Sequence, residues 1–285
     1  MGRGRSGRTS SSTSTPRQRP AVPAVPDWKE AFSDGWDYQR SRDVNHVSRT
    51  VTSKLQQRWD AFAQSYQTGV TQQDINNLMK DFDYRTGNLY GYVRTTNSFK
   101  INEALYDPAN ADKTDAQIFT RKDRQGRARD LQTVQTLDKL INNHSTARNA
   151  TYTRFSSPAA IKALYGFDDR QMAMLSNAKN MSPAELQKLN NALAGKASYS
   201  RAYTSTSANR SMNAFGNLNA RHSSGMIFER KLYMPGGTKA YAVQRNAQES
   251  EVIFGRHANA NLMKITVAPD GHIVLHEMFA GYKKR

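Results

Sequence analysis

The stretch AQESEVIFGR, residues 247–256, places two carboxylates, Glu249 and Glu251, two positions apart where a polar loop becomes a run of β-formers. Residues two apart on an extended backbone point to the same face. Two like charges on one face repel each other unless cationic groups lie nearby. The stretch therefore predicts a strand that carries an acidic pair and faces positive charge supplied by another part of the chain.

The bulk composition favours anionic partners. The chain of 285 residues contains 41 Lys and Arg against 24 Asp and Glu, a formal net charge of +17. Such a surplus favours nucleic acid, anionic surfaces or phosphorylated small molecules as partners. Cysteine is absent, which excludes disulfides and thiolate chemistry. No apolar run approaches the roughly 18 residues of a membrane span, and the basic N-terminus lacks the apolar core of a signal peptide.

The first 26 residues predict a disordered tail, because Ser, Thr, Arg and Pro cannot bury enough apolar surface to offset the entropy of ordering. Two interpretations remain open for this tail, a nucleic-acid or packaging arm and a solvated leader. Residues 27–84 follow as a helical N-terminal segment, in which apolar side chains recur every three or four positions. That stripe consists of Val51, Leu55, Trp59, Phe62 and Tyr66.

Capping residues mark further helices. Thr71 with Asp74 predicts the start of a short helix, and Asp130 is the predicted N-cap of a helix over LQTVQTLDKLINN. Ser157-Pro158 predicts a helix start that Gly166 ends. Ser182 with Glu185, three residues apart around a Pro, is a capping box, and Gly195 ends that helix.

After Ala197 the pattern changes to short β-type runs separated by turn residues. Pro269-Asp270-Gly271 predicts a hairpin turn between the last two of them. Because helices dominate the first part and strands the second, the sequence predicts an α+β fold rather than alternating βαβ units.

Conventional catalytic motifs are missing. The chain has no GxGxxG, no P-loop and no GxSxG elbow. The histidines show no metal-binding spacing, and we expect structural or surface roles for them. The six are His46, His144, His222, His257, His272 and His276.

Three short motifs remain, and they follow one another in the order Arg, Ser-Thr-Ser, Glu-x-Glu. Arg154 ends a predicted strand just before a helix, Ser205-Thr206-Ser207 follows a β-type run, and Glu249-x-Glu251 comes last. Taken singly, each has a structural interpretation: a surface strand arginine, a capped turn, a solvated edge-strand pair.

Taken in order, the motifs resemble the mono-ADP-ribosyltransferases of the Arg–Ser–Glu class, which include clostridial toxins and phage-encoded enzymes. SFKINEALY (98–106), LQTVQTLDKLINN and FERKLYMPGGTKAYAV are similar to flanking passages of that family. The resemblance covers about residues 85–280. It implies an ADP-ribosyltransferase domain over 85–285, in which helices pack on a core of two small, mostly antiparallel β-sheets.

The resemblance also implies roles for the residues. NAD is the ADP-ribose donor, and no metal is implied. Glu251 would stabilise the ribose cation, Ser205 would orient Glu251, and Arg154 would hold the NAD phosphates. Glu249 would orient an acceptor arginine, since a glutamate at this position accompanies arginine acceptors in the family. The set implied to contact NAD is Arg154, Phe155, Asn102, Ser205, Thr206, Ser207 and Phe215.

Two positions depart from the family pattern. Phe155 stands where the family usually has glycine beside the nicotinamide, and Tyr106 stands where it usually has arginine at the end of a helix. Both changes bear on how NAD is held.

The resemblance predicts transfer of ADP-ribose from NAD to arginine on a target protein. The positive charge of the chain suggests an acidic or nucleic-acid-bound target, such as the transcription or translation machinery of a host cell. The protein is expected to be an effector that a phage virion carries and releases into host cytoplasm. Its basic tail is expected to contact nucleic acid, and no membrane partner is expected. Two alternatives are a catalytically degenerate basic virion or nucleic-acid-binding protein on the same fold, and an NAD glycohydrolase.

Overall fold

The structure, a computed structural model, describes residues 70–79, 89, 92, 97–208, 225, 227–243 and 251–282. The predicted tail (1–26) lies outside these residues, and so does the predicted segment 27–84 apart from 70–79. The domain boundaries therefore stay predictions. Two residues of the predicted site, Phe215 and Glu249, also lie outside the described residues.

Seven α-helices occur in the described part of the chain. They are α1 (Gln72–Leu78), α2 (Asn97–Tyr106), α3 (Asp115–Ile118), α4 (Arg129–Asn143), α5 (Pro158–Tyr165), α6 (Asp169–Ser176) and α7 (Pro183–Leu193). None of these helices is long and apolar enough to span a bilayer.

Local capping chemistry sets most helix ends as predicted. The Thr71 side chain accepts from the Asp74 amide in a capping box, and the Ser182 box begins α7. Helix α5 begins after Ser157 and ends at Gly166, whose φ of 62° is the left-handed conformation that glycine adopts without strain. The prediction for α4 was wrong by two residues, because its N-cap is Ala128 and Asp130 lies in the first turn. There its charge still favours the helix N-terminus.

Eight strands occur in the described residues. They are β1 (Ala150–Ser156), β2 (Ala197–Ser200), β3 (Thr204–Ser207), β4 (Phe228–Met234), β5 (Ala240–Val243), β6 (Glu251–Phe254), β7 (Ala258–Val267) and β8 (Ile273–Tyr282). The predicted hairpin between β7 and β8 is confirmed: Gly271 has φ 87°, and the Ala268 amide donates to the His272 carbonyl at 2.9 Å.

The strands form one sheet, in the order β2-β7-β8-β4-β1-β3-β6-β5. Only the β4–β8 pair is parallel among the described strands. The α+β class and the mostly antiparallel pairing are therefore confirmed, whereas the two separate sheets are not. The two halves are joined by a single registered pair, Thr153 with Ser207. A junction this narrow is a non-local feature that strand patterns along the chain do not reveal.

The sheet curls so that its two halves share a core. Tyr152 of β1 packs edge-on against Phe254 of β6, with ring centroids 5.0 Å apart. Tyr282, at the end of β8, donates to the Lys239 carbonyl and accepts from the Gly255 amide. A Cβ at Gly255 would lie 3.2 Å from the Tyr282 ring, so a larger residue here would push the ring away by a few tenths of an ångström.

Helices cover both halves of the curled sheet. Helices α5 to α7 pack on β4, β7 and β8 through one buried cluster that includes Leu175 and Leu275. Helices α2 to α4 pack on the other half through a second cluster that includes Val134 and Ile253. Together the two clusters hold helices on both halves of the sheet that carries the motif residues.

Candidate active site

Strands β1 and β3 stop pairing beyond Thr153 and Ser207, and we call the region between them the cleft. Beyond Thr153, residues 154–156 of β1 continue to pair only with β4, while Ser205 and Thr206 of β3 pair with β6. Two adjacent strands that stop sharing hydrogen bonds leave a gap between them. Arg154 lies on one side of this gap and Ser205 on the other.

Glu251 and Ser205 are directly hydrogen-bonded. The Ser205 hydroxyl donates to Oε1 of Glu251. Register explains the contact, because Ser205 pairs with Ile253 and Ser207 with Glu251, which puts all four side chains on one face of the sheet. Both residues are half-buried. The bond holds one carboxylate oxygen of Glu251 in place. Because the carboxylate is planar and rigid, the bond also restricts where the second oxygen lies.

Arg154 bridges the cleft. Its Nη1 donates to the Ser205 carbonyl at 2.8 Å, which ties the guanidinium to the strand that orients Glu251. Burial lowers the pKa of Arg154, and the nearby cation Arg230 adds to this, while the negative charge of Glu251 opposes it. A guanidinium remains charged at neutral pH despite such a shift. The structure thus brings the predicted Arg, Ser and Glu together.

Asn102 and Tyr92 lie beside this group. The Asn102 amide donates to the Tyr92 hydroxyl at 3.3 Å. Burial raises the pKa of Tyr92, and Glu251 and Arg154 both influence it electrostatically, so the pair lies near them. Asn102 Oδ1 is buried and has no hydrogen-bond partner among the described residues. This oxygen can accept a hydrogen bond from a hydroxyl or amino group of a ligand in the cleft.

Tyr106 does not replace the arginine that the family usually has there. Ser200 Oγ donates its single proton to the Ala202 carbonyl, so in the 2.7 Å contact between them Tyr106 is the donor and Ser200 the acceptor. The hydroxyl proton of Tyr106 is therefore used in the hydrogen bond to Ser200. Among the described residues, Arg154 is the cation that hydrogen-bonds the strand carrying Ser205.

An ion-pair network fixes the far ends of β3 and β6. Arg256 donates to both oxygens of Asp115 at 2.8 and 2.9 Å, and it also binds Asp138. Tyr203, just before β3, donates to Asp138 at 2.6 Å and lies under the guanidinium. Burial alone would lower the pKa of Arg256, but the two carboxylates raise it above its usual value. The network holds α3 and α4 against the strands that carry Ser205 and Glu251.

The remaining predicted residues occupy different places. Thr206 is buried and donates its hydroxyl to the Val252 carbonyl at 2.8 Å. It faces away from Ser205 by strand alternation, so the structure does not bring it into the cleft. Ser207 shares the Glu251 face and is buried. Phe155 is half-buried opposite Glu229 on β4.

Sequence reasoning missed a buried ion pair behind Arg154. Arg230 donates to both oxygens of Glu277 at 2.7 and 2.6 Å, with side-chain exposures of 4% and 0%. Arg230 pairs with Arg154 across β1 and β4. Alternation could have revealed it, since Arg230 shares its strand face with Phe228 and Leu232, where a charge requires a buried partner.

The described histidines have structural contacts. His276 lies between the hydroxyls of Tyr233 and Thr266, each 2.9 Å away, and His272 bridges Asp270 and Glu229. No cluster of His, Asp and Glu in the described ranges has the arrangement of a metal site. The polar groups of the cleft are a guanidinium, a hydroxyl, a carboxylate and an amide.

Fold and family together define the class of protein: an NAD-dependent ADP-ribosyltransferase. The family model described as ADP-ribosyltransferase exoenzyme matches residues 66–276, and the chain belongs to this family. Its members use NAD as the donor of ADP-ribose and modify target proteins. No curated protein sequence matches the chain.

Solved ADP-ribosyltransferases share the fold. The chain is similar to C3stau2 from S. aureus, solved with NAD, with TM-score 0.56 and 20% identity, over 77% of this chain and 100% of that one. It is similar to the Clostridium limosum C3 exoenzyme, with TM-score 0.51 and 18% identity over 79% and 94% of the two chains. C3larvin from Paenibacillus larvae gives TM-score 0.51 and 15% identity over 75% and 96%.

The residues of the cleft fit NAD. Arg154 offers a permanent positive charge for the diphosphate. Glu251, held by Ser205, offers a carboxylate for a ribose hydroxyl, and the orphaned Asn102 oxygen offers an acceptor. The site therefore offers a cation for the diphosphate and two acceptors for hydroxyl or amino groups of NAD.

Proposed function

We propose that this protein transfers ADP-ribose from NAD to arginine side chains of a target protein. The observation that carries the proposal is the hydrogen bond from Ser205 to Glu251, made beside the guanidinium of Arg154. A chain that had lost catalysis would have no reason to keep a carboxylate oriented beside this guanidinium. The contact therefore favours an enzyme over a degenerate binding protein.

Glu251 supplies the electrostatic part of the reaction. Cleaving the bond between nicotinamide and ribose develops positive charge on the sugar, as in glycoside hydrolysis, and a fixed carboxylate stabilises that charge. Ser205 acts on Glu251 by holding one of its oxygens, and the carboxylate oriented in this way binds a ribose hydroxyl. Arg154 positions the diphosphate so that the sugar lies beside Glu251.

Glu249 supports arginine as the acceptor. A guanidinium with its pKa above about 12 is a poor nucleophile. A second carboxylate can orient it and take its proton as the new bond forms. The Glu-x-Glu pattern at 249 and 251 provides that group, and orienting a guanidinium needs it more than activating water does.

The proposal also places the reaction in the cytoplasm of a bacterial host, with delivery by a phage particle. Support for this comes from the resemblance to phage-encoded transferases and from the basic N-terminal tail.

The test uses the full chain, labelled NAD and a bacterial lysate, with mass spectrometry of the modified residues. Glu251→Gln should lose both protein labelling and NAD hydrolysis, by about 10² to 10³ in rate. Glu249→Gln should lose protein labelling and keep hydrolysis. Asp169→Asn, which changes an exposed carboxylate on α6, serves as the control with full activity.

The outcomes separate the candidate functions. Label on arginine that disappears in Glu249→Gln supports the proposal. Label on asparagine or cysteine overturns the arginine assignment. Hydrolysis without any labelled protein identifies a glycohydrolase, and neither activity in the wild type identifies a binding protein.

A further inference from the structure

A rigid turn rich in cations connects α3 to α4. We call residues 120–129 the basic turn; their sequence is TRKDRQGRAR. Asp123 organises it: its carboxylate accepts from the backbone amides of Gln125 and Arg127, each at 2.9 Å. The Asp123 amide donates to the Arg127 carbonyl, and Gly126 supplies the φ of 71° that closes the turn. These bonds within the turn fix its backbone.

The same carboxylate orders two arginines. Arg127 and Arg129 each donate through Nε to Asp123. Nη2 of Arg127 also donates to Oε1 of Gln125 at 3.1 Å. The amide of Arg127 and the side chains of Arg129 and Arg127 hold the pKa of Asp123 below its usual value. Asp123 therefore stays ionised and its own charge is satisfied within the turn.

Three further cations project from the turn. Arg121, Lys122 and Arg124 are exposed, and no hydrogen bond or ion pair to another described residue is found for them. Asp123 is the only acid in the turn against five cations. The basic turn is thus a concentrated positive surface whose one negative charge is already neutralised.

Buried residues and an ion pair anchor the chain on both sides of the basic turn. Phe119 precedes it and is buried in the cluster under α2 and α4. On the α3 side, Asp115 is held by Arg256, and on the α4 side Val134 and Leu137 are buried. A surface already held in one conformation loses little entropy when it binds a partner.

The chemistry of the turn distinguishes between two kinds of anionic partner. Stable protein–protein interfaces centre on buried aromatic or aliphatic anchors, and residues 120–129 contain no aromatic residue and no apolar one larger than alanine. Binding to a phosphate backbone needs only positive charge, and arginine forks match phosphate geometry. The net charge of +17 over the whole chain also suits a long polyanion better than one acidic patch.

We propose that the basic turn is a docking surface for the phosphate backbone of nucleic acid, contacted without regard to base sequence. It is separate from the cleft of Arg154, Ser205 and Glu251, and the proposal does not depend on the acceptor specificity of that cleft. The turn would hold the enzyme on nucleic acid or on a nucleic-acid-bound target.

The test measures binding of the full chain to a fluorescein-labelled single-stranded 20-mer DNA by anisotropy, at several salt concentrations. The variant is the triple Arg121→Gln, Lys122→Gln, Arg124→Gln. The matched control removes three exposed cations on the other half of the molecule, Arg170→Gln, Lys188→Gln, Lys196→Gln. NAD hydrolysis in both variants reports that the fold is intact.

Counterion release sets the expected size of the effect. Each phosphate contact on a single strand contributes about 0.7 to the slope of log K against log salt. Losing three contacts should lower the slope by about 2 and weaken binding about 100-fold at 0.1 M salt. The control triple should keep the wild-type slope, and hydrolysis should stay within about twofold in both.

Two results would overturn the proposal. Equal losses in the turn variant and in the control would show that binding follows total charge rather than this surface. Stronger binding to a 20-residue polyglutamate peptide than to the DNA, lost in the turn variant, would show that the turn docks an acidic protein instead.

Discussion

Replacing Ser205 by alanine isolates the contact that orients the catalytic carboxylate. The variant removes the hydroxyl that donates to Glu251 and nothing else of note, since the Ser205 carbonyl still accepts from Arg154 and the β3–β6 pairing is made by the backbone. We therefore expect Ser205→Ala to fold normally and to bind NAD with an affinity close to wild type.

The size of the catalytic loss follows from the charge of the acceptor. A hydrogen bond to a charged group contributes about 1.5–3 kcal/mol, and about 1.4 kcal/mol corresponds to a tenfold change in rate. If Glu251 needs its fixed rotamer in the transition state, kcat should fall about 10- to 150-fold. Most of the loss should appear in kcat rather than in KM for NAD, because the group acts on the developing ribose cation.

The assay is release of nicotinamide from labelled NAD under saturating donor, with thermal unfolding measured in parallel. Thr206→Val is the matched control, because the Thr206 hydroxyl bonds the Val252 carbonyl on the opposite face. It should lose about 1 kcal/mol of stability with kcat unchanged. A Ser205→Ala kcat within threefold of wild type, or an equal loss in Thr206→Val, would refute the positioning role.

Further predictions concern binding, the core and pH. Arg154→Lys should raise KM for NAD more than it lowers kcat, because an ammonium lacks the two-pronged geometry for phosphate; an unchanged KM in steady-state kinetics would contradict this. Glu277→Gln should lower the free energy of unfolding, measured with urea, by about 3–5 kcal/mol, because it leaves buried Arg230 without a charged partner. Asp169→Asn, at an exposed ion pair, should lower it by less than about 1 kcal/mol. Burial, assisted by neighbouring lysines, lowers the pKa of His276 to about 3. As the pH falls, the unfolded chain therefore binds a proton at this histidine before the folded protein does. The free energy of unfolding falls as the pH drops from about 6.5 towards 3. His276→Gln should flatten that slope, by about 1–2 kcal/mol at pH 5, and an unchanged slope would show that His276 is not buried in its neutral form.

Features encoded over a few residues could be predicted from the sequence. The Ser157-Pro158 start and the Gly166 end of α5, and the Ser182 capping box of α7, depend on backbone groups within one helical turn. The hairpin at Gly271 depends on one positive φ. All the residues that form such a cap or turn are neighbours in the sequence, so the sequence alone is enough to predict it.

Features encoded over long separations could not be predicted. The single Thr153–Ser207 pair that joins the two halves of the sheet depends on how the whole sheet curls, so the prediction of two sheets was wrong. Arg256 reaches Asp115 across 141 residues, and no pattern along the chain pairs them. The choice of Ala128 rather than Asp130 to begin α4 follows from the Asp123 turn before it.

The site divides in the same way. Arg154, Ser205 and Glu251 could be chosen because three motifs occur in one order along the chain, and the structure brings those three together. Thr206 was included as part of the same motif, but strand alternation turns it to the other face. Tyr92, which supports Asn102, has no motif that would have revealed it.

The central claim is that Glu251, held by Ser205 beside Arg154, accelerates cleavage of NAD rather than merely binding it. The most direct test is single-turnover release of nicotinamide by wild type and by Glu251→Gln, with the Kd for NAD of each measured by calorimetry. The account predicts a Kd within about fivefold and a rate lower by about 10² to 10³. A Glu251→Gln enzyme that binds NAD normally and releases nicotinamide at the wild-type rate would contradict it.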